Sequence, residues 1–101
     1  MTPSDLSSCT GWIREYIEPA AKVNRMHTSK GLWKMMLADT GANVSHTQFK
    51  DLMLSCGYEP VFPLTEDWEF MIGNKKLRNR PNAEVAGWQA SQNPYKRTRW
   101  A

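Results

Sequence analysis

The sequence predicts a small α+β protein, with a helical, helix-turn-helix-like body, a short β-hairpin after it and a basic, irregular C-terminal tail. Three observations lead to this class. Apolar residues recur at helical spacing between residues 32 and 56, they alternate at strand spacing between residues 68 and 72, and cations concentrate after residue 74. With 101 residues, 41% of them hydrophobic, the chain has room for one modest core.

The segment of residues 45–58 carries the clearest helix signals. Its apolar residues fall at i, i+3, i+4 and i+7, which places on one helical face Phe49, Leu52, Met53 and Cys56. Ser45 and Gln48 have the spacing of a capping box, in which each side chain satisfies a backbone N–H at the helix start. Gly57 is suited to end the helix in the left-handed conformation, so that Tyr58 packs back on Met53.

Two further helical segments are predicted upstream. Residues 32–40 carry apolar pairs at i, i+4, and Gly41 ends that helix. Residues 41–44 then form a turn of the length found in a helix-turn-helix or a helical hairpin. Residues 12–17 form another amphipathic turn or two, which Pro19 interrupts because the residue before a proline avoids the helical region.

The last part of the body changes to a two-residue period. The alternation predicts a strand with one buried face, formed by Trp68, Phe70 and Ile72. Residues 61–62 lie between two prolines and are predicted to pair with this strand as an edge strand, across a loop at residues 64–67. Two helices joined by a short turn and followed by a hairpin are also the outline of a winged helix.

Charge divides the chain into a compact domain of residues 1–74 and a basic, loosely structured tail of residues 75–101. The first part has six Lys or Arg against nine Asp or Glu, whereas the tail has seven against Glu84 alone. Such a tail is suited to polyanions, because cations neutralise phosphates and aromatic rings stack on unpaired bases. A solvated tail, or one docked on an acidic protein surface, is the alternative that charge alone leaves open.

The candidate nucleic-acid contacts form two groups. Thr47 and Lys50 lie opposite the apolar stripe of the 45–56 helix, where a recognition helix would face the major groove. Asp51 shares that face, which offers no arginine or asparagine for a bidentate base contact, and this favours a structural helical hairpin instead. The second group consists of tail residues: Lys75, Lys76, Arg78, Arg80, Lys96, Arg97, Arg99 and Trp100.

Catalysis and metal binding have little support in the sequence. No nucleophile elbow, phosphate loop or zinc-enzyme signature is present, and no partner for His27 or His46 can be identified. Cys9 and Cys56 lack metal-binding spacing, and two cysteines fit a reducing cytoplasm. No stretch resembles a membrane span or a secretory signal. We therefore predict a cytoplasmic, non-enzymatic protein without a cofactor, metal or small-molecule substrate.

A resemblance to a known group of proteins covers about residues 25–72. The motifs that carry it are Thr28-Ser29-Lys30-Gly31-Leu32-Trp33-Lys34, Gly41, Val44-Ser45, Gln48-Phe49-Lys50, Gly57-Tyr58 and Asp67-Trp68. They resemble short bacteriophage and mobile-element proteins that share Ser-x-Gly-Leu-Lys, Val-Ser-x-x-x-Phe and Gly-Tyr motifs before an Asn-Trp or Asp-Trp strand. This chain departs from that pattern at Trp33, where a lysine is usual. The resemblance implies a genomic setting rather than a chemistry.

Together these patterns predict a phage or mobile-element accessory protein that binds DNA or RNA through its basic, aromatic-containing tail, with the helix-turn-helix as a second contact. Small proteins of that setting act by binding nucleic acid or a host defence complex such as a CRISPR effector. The alternative is therefore an anti-CRISPR-like inhibitor that binds a host nucleic-acid-binding protein complex. No membrane partner is predicted.

Overall fold

The structure, a computed structural model, describes residues 1–80. Its elements in chain order are α1 (Pro3–Tyr16), β1 (Pro19–Asn24), α2 (Ser29–Thr40), α3 (His46–Ser55), β2 (Phe70–Ile72) and a 3-10 turn (Leu77–Asn79). The α+β class is confirmed, because three helices accompany a two-stranded antiparallel sheet of β1 and β2. None of the helices in this part of the chain is long and apolar enough to cross a bilayer.

The pairing of the last strand differs from the prediction. β2 pairs with β1, for instance through Asn24 and Phe70, and not with residues 61–62. Val61 contributes a single bond, in which its backbone N–H donates to the Glu69 carbonyl at 2.8 Å. The first four residues of β1 are exposed and only its last residue is buried, so no apolar alternation marks it as a strand.

Helix α1 is longer than the one or two turns predicted for its second half. A capping box starts it, in which the Thr2 hydroxyl accepts from the Asp5 N–H at 3.0 Å. Pro3 follows at the first helical position, where its fixed φ suits the helix. The helix ends at Tyr16, so the predicted interruption before Pro19 is confirmed. Its first half buries only Cys9, so apolar periodicity gives little indication of it, although Thr2 and Asp5 have the spacing of a capping box.

Both predicted ends of α3 are confirmed. The Ser45 hydroxyl accepts from the Gln48 N–H at 3.1 Å, and the Gln48 side chain accepts from the Ser45 N–H at 2.8 Å. After the helix, Gly57 has a φ of 93°, and the Tyr58 N–H donates to the Met53 carbonyl at 2.9 Å. This is a Schellman ending, and the Tyr58 hydroxyl then donates to the carbonyl of Ile17, just after α1, at 3.0 Å.

One core lies where the three helices meet β2. Its fully buried members include Ile13, Leu32, Met36, Phe49, Met53 and Phe70. Leu77, which follows the predicted domain boundary at residue 74, is only 4% exposed and belongs to the same core. Packing therefore continues into the first residues of the segment that composition assigns to the tail.

Candidate nucleic-acid interface

The cationic segment, defined here as residues 75–78, lies beside the end of α1. The side chains of Lys75, Lys76 and Arg78 are exposed, while Leu77 between them is buried. The backbone N–H of Lys76 donates to Glu18 Oε2 at 3.2 Å. These contacts hold the backbone of the segment against the body and leave three positive charges in solvent.

Arg80 corrects the prediction that every tail cation is available to a phosphate. Its Nε donates to Asp39 Oδ2 at 2.7 Å, and its Nη2 donates to Asp39 Oδ1 at 3.3 Å. The two side chains are only 4% and 3% exposed, and Asp39 also accepts from Trp12 Nε1 at 2.8 Å. The protein's own carboxylate thus neutralises Arg80. The pair fastens the chain just after the cationic segment to α2, and Trp12 of α1 binds the same carboxylate.

The two contacts predicted on α3, Thr47 and Lys50, differ in their surroundings. Thr47 is exposed, as predicted, but Lys50 donates from its Nζ to the Glu66 carbonyl at 2.8 Å. The same ammonium group lies 4.7 Å from the centre of the Trp68 ring, within the range of a cation–π contact. Leu54 on the outer side of the helix is 42% exposed. Lys50 therefore contacts residues before β2 while it keeps its positive charge, and the groove contact of Thr47 and Lys50 stays a prediction.

The 62–68 loop, which is part of the connection between α3 and β2, displays large apolar side chains. Phe62 is 67% exposed and Leu64 is 96% exposed. The loop is nevertheless held by its own hydrogen bonds, since the Thr65 hydroxyl donates to the Phe62 carbonyl at 3.1 Å and Trp68 Nε1 donates to the Pro63 carbonyl at 3.3 Å. An ordered loop with an apolar tip in water is a feature of interaction sites.

A polar clamp, formed by Ser29, His46 and Asp67, joins the starts of α2 and α3 to the 62–68 loop. The Ser29 hydroxyl lies 2.8 Å from His46 Nε2 and 3.1 Å from Asp67 Oδ1. These are the residue types of a hydrolytic triad, but in a triad the carboxylate orients the imidazole, whereas here it binds the serine. Ser29 is also fully buried. The clamp therefore has the geometry of a structural connection rather than of a nucleophile with its base.

Both titratable groups of the clamp, His46 and Asp67, have pKa values below their ordinary ones. Burial lowers the pKa of His46 from its ordinary value of 6.5. Burial raises the pKa of Asp67, but hydrogen bonds from the Lys30 N–H and the hydroxyls of Thr28 and Ser29 outweigh it and bring that pKa below its usual value. Near neutral pH the imidazole is neutral and the carboxylate is ionised.

These charge states fix the direction of the hydrogen bonds at Ser29. An ionised Asp67 can only accept, so the single hydroxyl proton of Ser29 goes to it. The backbone N–H of Trp68 donates to the Ser29 oxygen at 2.8 Å. The Ser29 oxygen can then only accept from His46. We therefore assign the single N–H proton of the neutral imidazole to His46 Nε2, which donates to that oxygen. Ser29 and Asp67 both belong to the motifs that carry the resemblance, which is the one sequence signal that could have brought them together.

No protein-family model, curated protein or solved structure matches this chain. The resemblance to phage and mobile-element proteins therefore stays a prediction. Within residues 1–80, no group of three or more His, Cys, Asp or Glu side chains is placed to hold a metal ion. Four predicted contacts lie outside the described residues, namely Lys96, Arg97, Arg99 and Trp100.

Proposed function

We propose that the protein is a non-enzymatic phage or mobile-element accessory protein that binds DNA or RNA through the phosphates. The observation that carries the proposal is the anchored display of Lys75, Lys76 and Arg78. Leu77 in the core and Arg80 on Asp39 hold the backbone on either side of Arg78 before any ligand arrives. Charges that are already positioned lose less conformational freedom on binding than charges on a free chain, and this favours affinity.

Six of the seven cations after residue 74 are retained in this proposal. Of the four that lie within residues 75–80, Arg80 is the one that forms an ion pair. If all six contact phosphates, the affinity is expected to fall by roughly a thousandfold between about 50 and about 200 mM salt. A cytoplasmic location is part of the proposal. It is supported by Cys9 and Cys56, which are both free thiols, because stable disulfides are rare in that compartment.

The test is a titration of labelled DNA and RNA at two salt concentrations, read by fluorescence anisotropy. The triple variant Lys75→Glu/Lys76→Glu/Arg78→Glu is expected to bind much more weakly and to lose about two to three units of the logarithmic salt slope. The matched control is Lys22→Glu/Arg25→Glu/Lys34→Glu, which reverses three exposed charges elsewhere on the body. An equal loss in both variants, or no loss in the first, would contradict the role of the cationic segment.

One observation favours a second candidate, a protein-binding inhibitor of a host defence complex. The 62–68 loop presents Phe62 and Leu64 to solvent on an ordered backbone, whereas a nucleic-acid interface has no need of such a tip. A complex with a host protein that survives nuclease treatment, and that is lost in Phe62→Ser/Leu64→Ser but kept in the charge-reversed triple variant, would support this candidate. The opposite pattern, or a complex abolished by nuclease, would support the first.

A further inference from the structure

A shallow depression lies between the last turn of α1 and the 3-10 turn. It has a volume of about 280 Å³ and is lined by Arg14, Glu15, Tyr16, Lys76 and Asn79. This volume is close to the lower end of the range for small-ligand pockets, about 300–1,000 Å³. The depression is therefore of the size of a small ligand rather than of an extended groove.

The depression offers two cationic groups to an anion. Arg14 and Lys76 line it together with Glu15, and the Glu18 carboxylate accepts from the backbone N–H of Lys76 at 3.2 Å. Arg14 is exposed, and within residues 1–80 neither of the two cations forms an ion pair. A guanidinium group and an ammonium group that converge on one hollow are the usual ligands of a phosphate. Sequence analysis did not select Arg14, because it lies 60 residues or more from the cationic segment and only the fold brings it near Lys76.

Tyr16 gives the depression an aromatic wall. Its ring packs against Trp12, with the ring centroids 5.6 Å apart, so the ring is held in place while it remains half-buried at the surface. An aromatic ring beside cations is the arrangement on which unpaired bases stack. Asn79 is exposed at the rim and offers both an amide donor and a carbonyl acceptor to the edge of a base.

We infer that this depression binds one unpaired nucleotide, with its phosphate on Arg14 and Lys76 and its base on Tyr16. The ligand class of the interface is then single-stranded nucleic acid. The inference rests on the proposed function and deepens it, because it selects single strands from the polyanions that the cationic segment attracts.

The experiment compares a labelled single strand with a duplex of equal length at one salt concentration. We expect the single strand to bind more tightly. Tyr16→Leu, which keeps an apolar side chain against Trp12, is expected to weaken single-strand binding about tenfold or more and to leave duplex binding unchanged. Arg14→Gln is expected to weaken binding of the single strand more than that of the duplex. Phe62→Leu, which removes an exposed ring elsewhere, is the matched control and is expected to change neither affinity.

A second measurement needs no variant and so does not depend on the folding of Tyr16→Leu. Ultraviolet cross-linking of the wild-type protein to an iodouracil-containing strand, mapped by mass spectrometry, is expected to modify Tyr16. Adducts only at other residues, or equal affinity for single strand and duplex, would overturn the inference while the proposed function stands. A wild-type protein that binds neither nucleic acid would overturn both.

Discussion

The Asp39 carboxylate accepts hydrogen bonds from two residues that are distant from it in the sequence, Arg80 and Trp12. Exposed ion pairs contribute about 0–1 kcal/mol to stability, but this pair is almost fully buried. Removing one partner of a buried pair leaves the other charge without a counter-ion in a medium that solvates it poorly. The pair is therefore costly to break, whatever its net contribution when it is intact.

Arg80→Met is expected to lower the free energy of unfolding by about 3–5 kcal/mol, because Asp39 stays buried and loses its cation. Urea denaturation measures this change. The double variant Asp39→Asn/Arg80→Met removes both charges and keeps an acceptor for Trp12 Nε1, so we expect it to recover much of the loss. A single variant as stable as the wild type would show that the ion pair does not fasten this end of the chain.

The histidines predict how stability depends on pH. Burial lowers the pKa of His46 and of His27 in the folded protein, and the charge of Arg80 adds to the effect at His27. The unfolded chain then binds protons more readily than the folded one. The two histidines therefore make their full contribution to the free energy of unfolding above the ordinary pKa of 6.5, and this contribution is lost as the pH falls from there toward the lowered pKa values.

Thermal unfolding between about pH 7.5 and about pH 5 checks this sign. His46→Gln keeps an N–H donor for Ser29 and does not titrate, so we expect its melting temperature to vary less over this range than that of the wild type. His27→Gln should have the same effect at the other site. A double variant with the pH profile of the wild type would show that neither histidine is the cause.

At the scale of the helices, two exposed glycines, Gly11 and Gly57, adopt different backbone conformations. An added Cβ would meet no other atom within 4 Å at Gly57 or at Gly11. Gly57 has a φ of 93°, in the region that L side chains avoid, whereas Gly11 lies inside α1. The same substitution therefore isolates the conformational cost at one site and the helix propensity at the other.

Gly57→Ala is expected to destabilise the protein by about 1–2 kcal/mol, because alanine is strained in the left-handed region. Gly11→Ala is expected to stabilise it by about 0.5–1 kcal/mol, because alanine loses less backbone entropy in a helix. Urea denaturation of both variants gives the two signs in one experiment. Two changes of the same sign would contradict the assignment of Gly57 as the helix end.

The elements that sequence predicts well are those whose ends are encoded by neighbouring residues. The capping box of α3 and its Schellman ending involve residues a few positions apart, and both are confirmed. β1 has no such local signal. It is a strand because it pairs with β2, which follows both α2 and α3 in the chain. The first half of α1 is an exception, because its capping box of Thr2 and Asp5 is just as local and was overlooked, while Cys9 is the one residue that this half buries.

At the scale of the whole molecule, the candidate interface was predictable only in part. The exposed cations at Lys75, Lys76 and Arg78 follow directly from composition. The neutralisation of Arg80 does not, because its carboxylate partner lies 41 residues away. The depression at Tyr16 likewise joins parts of the chain that are adjacent only after folding. Composition thus indicates the kind of ligand, while tertiary contacts decide which cations remain free to bind it.

Residues 77–80, the last that the structure describes, pack against the body, and this determines where the chain can be shortened. A chain that ends at Arg80 keeps Leu77 in the core and the ion pair to Asp39, so we expect it to fold. A chain that ends at Asn74 loses both, and we expect its free energy of unfolding to fall by roughly 4–7 kcal/mol, a large part of the ~5–15 kcal/mol typical of a domain. Urea denaturation of the two truncated chains tests this, and equal stability would contradict the packing of residues 77–80. A chain that ends at Asn74 lacks both the cationic segment and these stabilising contacts, so a loss of nucleic-acid binding in it has two causes. Only the longer truncated chain can separate the contribution of residues 81–101 from that of the cationic segment.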